Sequence, residues 1–176
     1  MFVVPVAVVI IRRRHSPALK ARFPLGGTAR GRLSGFLIVL LIAILSGYAA
    51  IGLLPDWAYY LGLSLSLLGI AIWLWGQQTL GRYYSIEVVI YHGHQLVERG
   101  PYRFVRHPMY TGLFLLWAGA GFAVQSWVAA VVIAIITAIA WTRIIPIEEK
   151  VLVSEFGEQY VSYSRRVKGR FIPFIL

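Results

Sequence analysis

Long apolar runs separated by short polar breaks set the plan of this chain. Leu33 to Leu54 carries no charged residue, and after the Pro55-Asp56 break Trp57 to Gly76 is a second such run. Tyr110 to Val124 and Trp127 to Ile145 form a third and a fourth, parted by Gln125 and Ser126. An α-helix needs about 20 apolar residues to cross about 30 Å of hydrocarbon. The third run meets that length when its helix begins near His107. The pattern predicts an all-α polytopic membrane helix bundle, one domain over residues 1–176, with spans near 33–54, 57–76, 107–124 and 127–145. Met1 to Ile11 is apolar but only half a span long, and is read as part of a possible fifth. Arg12, Arg13 and Arg14 follow it, the reverse of the order in a secretory signal.

Composition agrees with a membrane. Hydrophobic residues make up 59% and charged residues 14%, against about 45–50% and about 25% in soluble domains. The net charge of +10 would suit nucleic acid, but its placement argues otherwise. All 17 basic residues lie in Arg12 to Arg32, in Gln77 to Met109 and from Arg143 onward, while the turns at Asp56 and Gln125 hold none. Basic residues in short loops mark the cytoplasmic side, where they meet anionic membrane lipids. The chain lacks cysteine, which excludes disulfides, thiolate metal sites and a cysteine nucleophile.

The polar chemistry gathers in two cytoplasmic blocks. Tyr91 to Gly112 is rich in Gly, Pro, Tyr and His. Gly100-Pro101 marks a turn, and Pro108 suits the first turn of a helix, where its missing N–H costs nothing. Backbone N–H groups near that start could receive an anion; alternatively, Arg103, Arg106 and His107 anchor the loop to headgroups. The second block opens with Glu148 and Glu149 just beyond Pro146. Either they are a solvated helix start, where acids favour the dipole, or one carboxylate faces a ligand while the other pairs with a base. Val151, Leu152, Phe156, Tyr160 and Tyr163 recur at helical spacing, predicting an amphipathic helix that lies on the membrane or closes over a pocket. His92 and His94 form an H-x-H pair without a supporting third ligand, so we read turn histidines and no metal. Neither a P-loop nor a dinucleotide fingerprint is present.

Taken in order, Gly93-His94-x-Leu96-Val97, Gly100-Pro101-Tyr102, Arg106-His107-Pro108-x-Tyr110-x-Gly112, a helical hairpin, Glu148-Glu149-x-x-Leu152 and Phe156-Gly157-x-x-Tyr160-x-x-Tyr163 resemble the isoprenylcysteine carboxyl methyltransferase family, which is related to phospholipid N-methyltransferases. The resemblance covers about residues 68–173, with Leu80-Gly81-Arg82-Tyr83-Tyr84 ahead of the loop. It implies methylation dependent on S-adenosylmethionine, at the cytoplasmic face of an integral membrane protein, of a hydrophobic or lipid-attached acceptor. Carboxyl O-methylation is the family's named activity; amine methylation of a phospholipid or S-methylation of a small thiol is the alternative. A non-catalytic lipid-binding protein and a membrane reductase are the readings from other classes. Carried over by position, His94, Gln95, Leu96, Val97, Tyr102, Arg106, His107, Pro108, Met109, Tyr110, Glu148 and Glu149 would bind the cofactor, and Arg143 and Glu148 would be catalytic. One departure stands out. Members that methylate an isoprenylcysteine carboxylate carry an arginine one turn before the glutamate matched by Glu148; here that position is Ile144, and Arg143 is displaced by about 100° around a helix. Pro146 could distort the helix and restore the alignment. The polar position expected before the loop is here Glu87.

Overall fold

The computed structural model describes residues 19–23, 41, 45, 54–85, 88–91 and 93–171. The second apolar run forms α1 (Trp57–Leu80) and the third forms α2 (Pro108–Ala123). The fourth forms α3 (Trp127–Phe156), and a short α4 (Glu158–Arg166) follows. At 1.5 Å per residue the first three are about 36, 24 and 45 Å long. Among the described residues two stretches are long and apolar enough to cross a membrane, Trp57–Tyr83 and Trp127–Phe156, with mean hydropathy 1.6 and 2.3. The expected span at 33–54 lies outside the described residues except for Leu41 and Leu45, which are helical and exposed, and Leu54. Met1 to Ile11, Glu87 and His92 also lie outside them.

The fold is mostly helical, as expected, with one correction to the all-α reading. Leu19–Phe23 (β1) pairs antiparallel with Val88–Tyr91 (β2), Phe23 opposite Val88 and Leu19 opposite Tyr91. Val88-Val89-Ile90-Tyr91 is β-branched and aromatic, a composition that suits a strand. Its partner, Leu19-Lys20-Ala21-Arg22-Phe23, alternates apolar and basic residues, which also suits a strand, but lies far away in sequence. The pairing puts two of the three basic segments side by side.

Helix ends also differ from expectation. α1 continues past Gly76 to Leu80. Pro146 does not end the fourth helix, which runs through it to Phe156. A proline removes one backbone hydrogen bond, but Ile145 and Val151 on either side are buried and hold the helix in register. The amphipathic helix expected from Glu148 to Tyr163 is therefore two pieces. Gly157, at φ 52°, breaks it and turns α4 back; a side chain there would sit in the left-handed region that favours glycine.

α1 and α2 pack backbone to backbone. Gly62, Gly69 and Gly76 are spaced by seven, as are Gly112 and Gly119, so each set stays on one helix face. A Cβ built on Gly69 would lie 2.5 Å from the Gly112 carbonyl oxygen, and one on Gly62 would lie 2.5 Å from that of Gly119. Small residues at such contacts are the usual device where lipid removes the hydrophobic drive for helix association. Ser66 adds a hydrogen bond to the Leu116 carbonyl at 3.2 Å. At the far end Leu54 N donates to Gln125 O at 2.7 Å, and the Gln125 amide donates to Asp56 at 3.1 Å, tying together the two turns that carry no basic residue. Leu61, Leu67, Leu68 and Trp75 of α1 and Val131, Ile135 and Ile139 of α3 are exposed. That outward apolar surface is the inverse of a soluble fold and marks contact with lipid.

Candidate active site

Four chain segments meet at the end of the bundle opposite those turns. The loop after α1 brings in residues 93–99. The turn at Gly100–Arg103 buries Pro101 and Tyr102, with the Thr79 hydroxyl oxygen packed where a Cβ on Gly100 would stand. His107 precedes α2, and α3, continuing beyond Pro146, delivers Glu148, Leu152 and Phe156. α4 folds over them and is fastened by the Tyr163 hydroxyl, which donates to the Tyr102 carbonyl at 2.7 Å. Arg166 pairs with Glu98 at 2.5 Å. Beyond α4 the chain runs along the start of α2: Arg106 N donates to Gly169 O at 2.9 Å, and His107 N to Arg170 O at 2.7 Å. Thr111 donates to the Phe171 carbonyl, and the Phe171 ring meets Trp141 edge-on.

These segments enclose a cavity of about 290 Å³, at the small end of the range for ligand sites. His94, Gln95, Leu96, Val97, Tyr102, Arg106, His107, Met109, Tyr110 and Glu148 all line it. Three expected site residues do not. Pro108 is fully buried beneath the wall, and Arg143 is exposed. Glu149 turns toward bases instead: Arg106 at 3.2 Å, His107 Nε2 at 3.5 Å and Arg170 at 3.6 Å. α3 is helical through Pro146, so Arg143 keeps its displacement from Glu148, five residues or about 140° around the axis.

Leu80, Tyr83 and Tyr84, from the run ahead of the loop, also line it, and Trp73, Ser85 and Leu113 complete the wall without having been singled out. Trp73 and Leu113 sit inside apolar runs, where nothing local separates a cavity-facing residue from a lipid-facing one. Leu152, Phe156, Tyr160 and Tyr163, the apolar face of the second block, also line the cavity. An open groove of about 830 Å³ adjoins it, sharing Leu80, Tyr83, Gln95, Leu96 and Val97.

The site has an aromatic side and a charged side. His94 stacks on Tyr83 at 4.4 Å and meets Phe156 edge-on at 5.5 Å. Burial lowers the His94 pKa, against an opposing pull from Glu155, so the ring is neutral at physiological pH and suits stacking. On the charged side Tyr110 donates to Glu148 Oε1 at 2.6 Å, and His107 Nδ1 lies 3.5 Å from Glu148 Oε2. His107 thus bridges two adjacent carboxylates. Burial opposes its charge, but hydrogen bonds to and charges on Glu148 and Glu149 outweigh burial, and its pKa is raised. Among the described residues no group of three or more His, Asp or Glu could hold a metal ion.

Comparison with known proteins places this geometry. Residues 57–159 match the family model for phospholipid methyltransferase. The chain is 31% identical over 163 residues to protein-S-isoprenylcysteine O-methyltransferase B of Arabidopsis thaliana, covering 85% of this chain and 82% of that relative. To the A protein of the same plant it is 31% identical over 148 residues, covering 80% and 74%. It is also similar to a solved structure of the eukaryotic intramembrane Ras methyltransferase, isoprenylcysteine carboxyl methyltransferase, with TM-score 0.70 and 25% identity. That match covers 86% of this chain but 55% of the solved one, so the chain spans about half of that larger protein.

Proposed function

This chain belongs to the isoprenylcysteine carboxyl methyltransferase family, and from that premise we propose that it transfers a methyl group from S-adenosylmethionine to the carboxylate of a hydrophobic, lipid-attached acceptor in the membrane. One observation carries the reading: residues of the 94–97 loop, of the Tyr102 to Tyr110 stretch and Glu148, far apart in sequence, line one cavity. The residues present fit the cofactor. Tyr83, His94 and Phe156 offer stacking surface for a purine. Arg106 and Glu148 present one charge of each sign, as a zwitterionic amino-acid end requires.

S-adenosylmethionine supplies a methyl group on a sulfonium, already activated for in-line displacement. What this chain contributes is position. The Tyr110 hydroxyl and His107 fix the Glu148 carboxylate, and Glu149 holds Arg106 and His107 from behind. A carboxylate acceptor needs no proton removed, so the reaction calls for no general base here. The basic residues concentrated at this end support a cytoplasmic orientation, where the cofactor enters from water and the acceptor from the bilayer.

A second reading rests on Arg143. With Ile144 at the family's arginine position and Arg143 exposed, α3 turns no arginine into the cavity, which favours an amine or thiol acceptor over a carboxylate. Two measurements decide. S-adenosylmethionine titrated into purified protein should bind saturably, and His107→Ala and Glu148→Gln should each weaken binding; absence of saturable binding defeats the methyltransferase reading. Membranes incubated with protein and methyl-labelled cofactor should then gain a base-labile label, the mark of an ester. A base-stable lipid label would assign the amine reaction instead.

A further inference from the structure

Tyr83 and Tyr84 are adjacent in sequence and both line the cavity, but they face different neighbours. Tyr83 stacks on His94, and its hydroxyl donates to the Gly93 carbonyl at 2.9 Å while receiving Arg82. Tyr84 lies just past the helical turn at Gly81–Tyr83, where its extended backbone and the bond from its N–H to Gly81 O at 3.2 Å set the start of the side chain. Its ring stands edge-on to Trp73, with centroids 6.3 Å apart. The Tyr84 hydroxyl makes no hydrogen bond among the described residues, and burial alone raises its pKa, so the phenol keeps a proton to donate.

This side of the cavity reaches toward the hydrocarbon. Trp73 stands seven residues before the end of α1 and Leu113 five after the start of α2, about 10 Å and about 7 Å along those helices. With Met109 they make an apolar side, the one a lipid-attached acceptor would occupy. Its reacting head group still needs a polar partner. Arg143 is exposed and does not line the cavity, and the Tyr110 hydroxyl is spent on Glu148. Burial foremost, then Tyr163, Glu148 and Tyr84, raise the Tyr102 pKa, so Tyr102 lies within electrostatic reach of Tyr84 and Glu148 alike. Tyr84 therefore stands where the apolar side meets Tyr102 and, through it, the charged side.

We propose that the Tyr84 hydroxyl donates to the carboxylate of the acceptor, filling the role that α3 leaves open by turning Arg143 away. The assignment rests on the methyl-transfer reading above and deepens it, naming the residue that recognises the acceptor's head group. A single neutral donor suits the task. It holds one carboxylate oxygen and leaves the other free to react, and an O–H bond to a charged oxygen is about twice as strong as one between neutral groups. A few polar groups placed in an apolar wall are what give a pocket its specificity.

The test uses the purified full chain in detergent micelles, saturated with S-adenosylhomocysteine so that no methyl transfer occurs. One labelled probe is N-acetylcysteine carrying a farnesyl chain on sulfur, after the isoprenylcysteine in the relatives' names. The other is the same molecule with its carboxylate replaced by hydrogen. Wild-type protein should bind the acid more tightly, and Tyr84→Phe should lower that affinity about tenfold or more. Affinity for the second probe, and for S-adenosylhomocysteine itself, should stay within about twofold of the wild type. Equal losses for the two probes would reduce Tyr84 to a packing residue, and a comparable loss for S-adenosylhomocysteine would give its hydroxyl to the cofactor; either overturns the proposal. With S-adenosylhomocysteine binding normal, a wild type that does not distinguish the probes, or a Tyr84→Phe variant that binds the acid unaltered, sinks this assignment alone. Wild-type protein that binds no S-adenosylhomocysteine sinks the cofactor reading, and this assignment with it.

Discussion

Replacing Gly69 by alanine adds one methyl group where α1 and α2 touch backbone to backbone. The new Cβ would stand 2.5 Å from both the Gly112 oxygen and the Leu116 nitrogen. Both neighbours are helix backbone and cannot swing aside, so the helices must part by about 1 Å, enough to forfeit a quarter to a half of each dispersion contact along the seam. Two effects oppose each other. Alanine is better than glycine in a helix interior by about 1 kcal/mol, while overpacking a closed interface costs about 1–3 kcal/mol. With no flexible side chain to absorb the strain, the upper half of that cost applies, and the net loss should be about 1–2 kcal/mol. Gly112→Ala meets the same contact from the other side, 2.6 Å from the Gly69 oxygen. Once the helices have separated, the second methyl costs little, so the double variant should be clearly less damaged than the sum of the singles. Reversible unfolding in mixed micelles, followed by circular dichroism, measures all three, with exposed Ser64→Ala as the control. Affinity for S-adenosylhomocysteine should fall alongside, because Trp73 of α1 and Met109 and Tyr110 of α2 line the cavity together. A Gly69→Ala variant as stable as the wild type, or strictly additive losses, would refute the close-packed seam.

Two further outcomes concern His107, on the charged side of the site, and Arg143, outside it. The His107 pKa is raised in the folded protein, so its contribution to stability is complete below the unfolded value of about 6.5 and is lost as pH rises through the higher folded value. The melting temperature should therefore decline on the alkaline side of that value and the decline should vanish in His107→Gln; a wild-type profile that stays flat there contradicts the bridge to Glu148 and Glu149. Arg143→Ala removes an exposed side chain that does not line the cavity, so cofactor affinity should stay within about twofold of wild type; a tenfold loss in calorimetry would return Arg143 to the site.

How much of this could be read from the residues divides along physical lines. Apolar runs located α1, α2 and α3 as helices, and α1 and α3 also have the length that a bilayer's thickness dictates. Ordered motifs located the cavity wall at His94 to Val97, Tyr102 to Tyr110 and Glu148, since those polar residues stand out against apolar surroundings. Trp73 and Leu113 stayed hidden because a cavity-facing and a lipid-facing residue are equally apolar. The β1–β2 pair was hidden for another reason: Leu19–Phe23 and Val88–Tyr91 each carry a short strand-like pattern, but they are joined across most of the first half of the chain, and nothing local names the partner. Pro146 misled in the opposite sense, suggesting a break where buried neighbours keep the helix whole.

That unbroken helix is what gives the two adjacent glutamates separate tasks. Successive residues on a helix point about 100° apart, and here that rotation sends Glu148 and Glu149 to different partners. Glu148 enters the cavity, held by Tyr110, and Glu149 faces the two bases that precede α2 and Arg170 behind them. Two bare carboxylates side by side at a membrane surface would repel each other. Placed on either side of His107, whose pKa they raise against the effect of burial, they become the link that joins α3 to the start of α2. The same rotation takes Arg143 away from the cavity, so the geometry that secures the cofactor side leaves the acceptor side without an arginine from α3. Acceptor chemistry must then be set elsewhere on the wall, and the label in the membrane experiment, rather than the family name, is what identifies it.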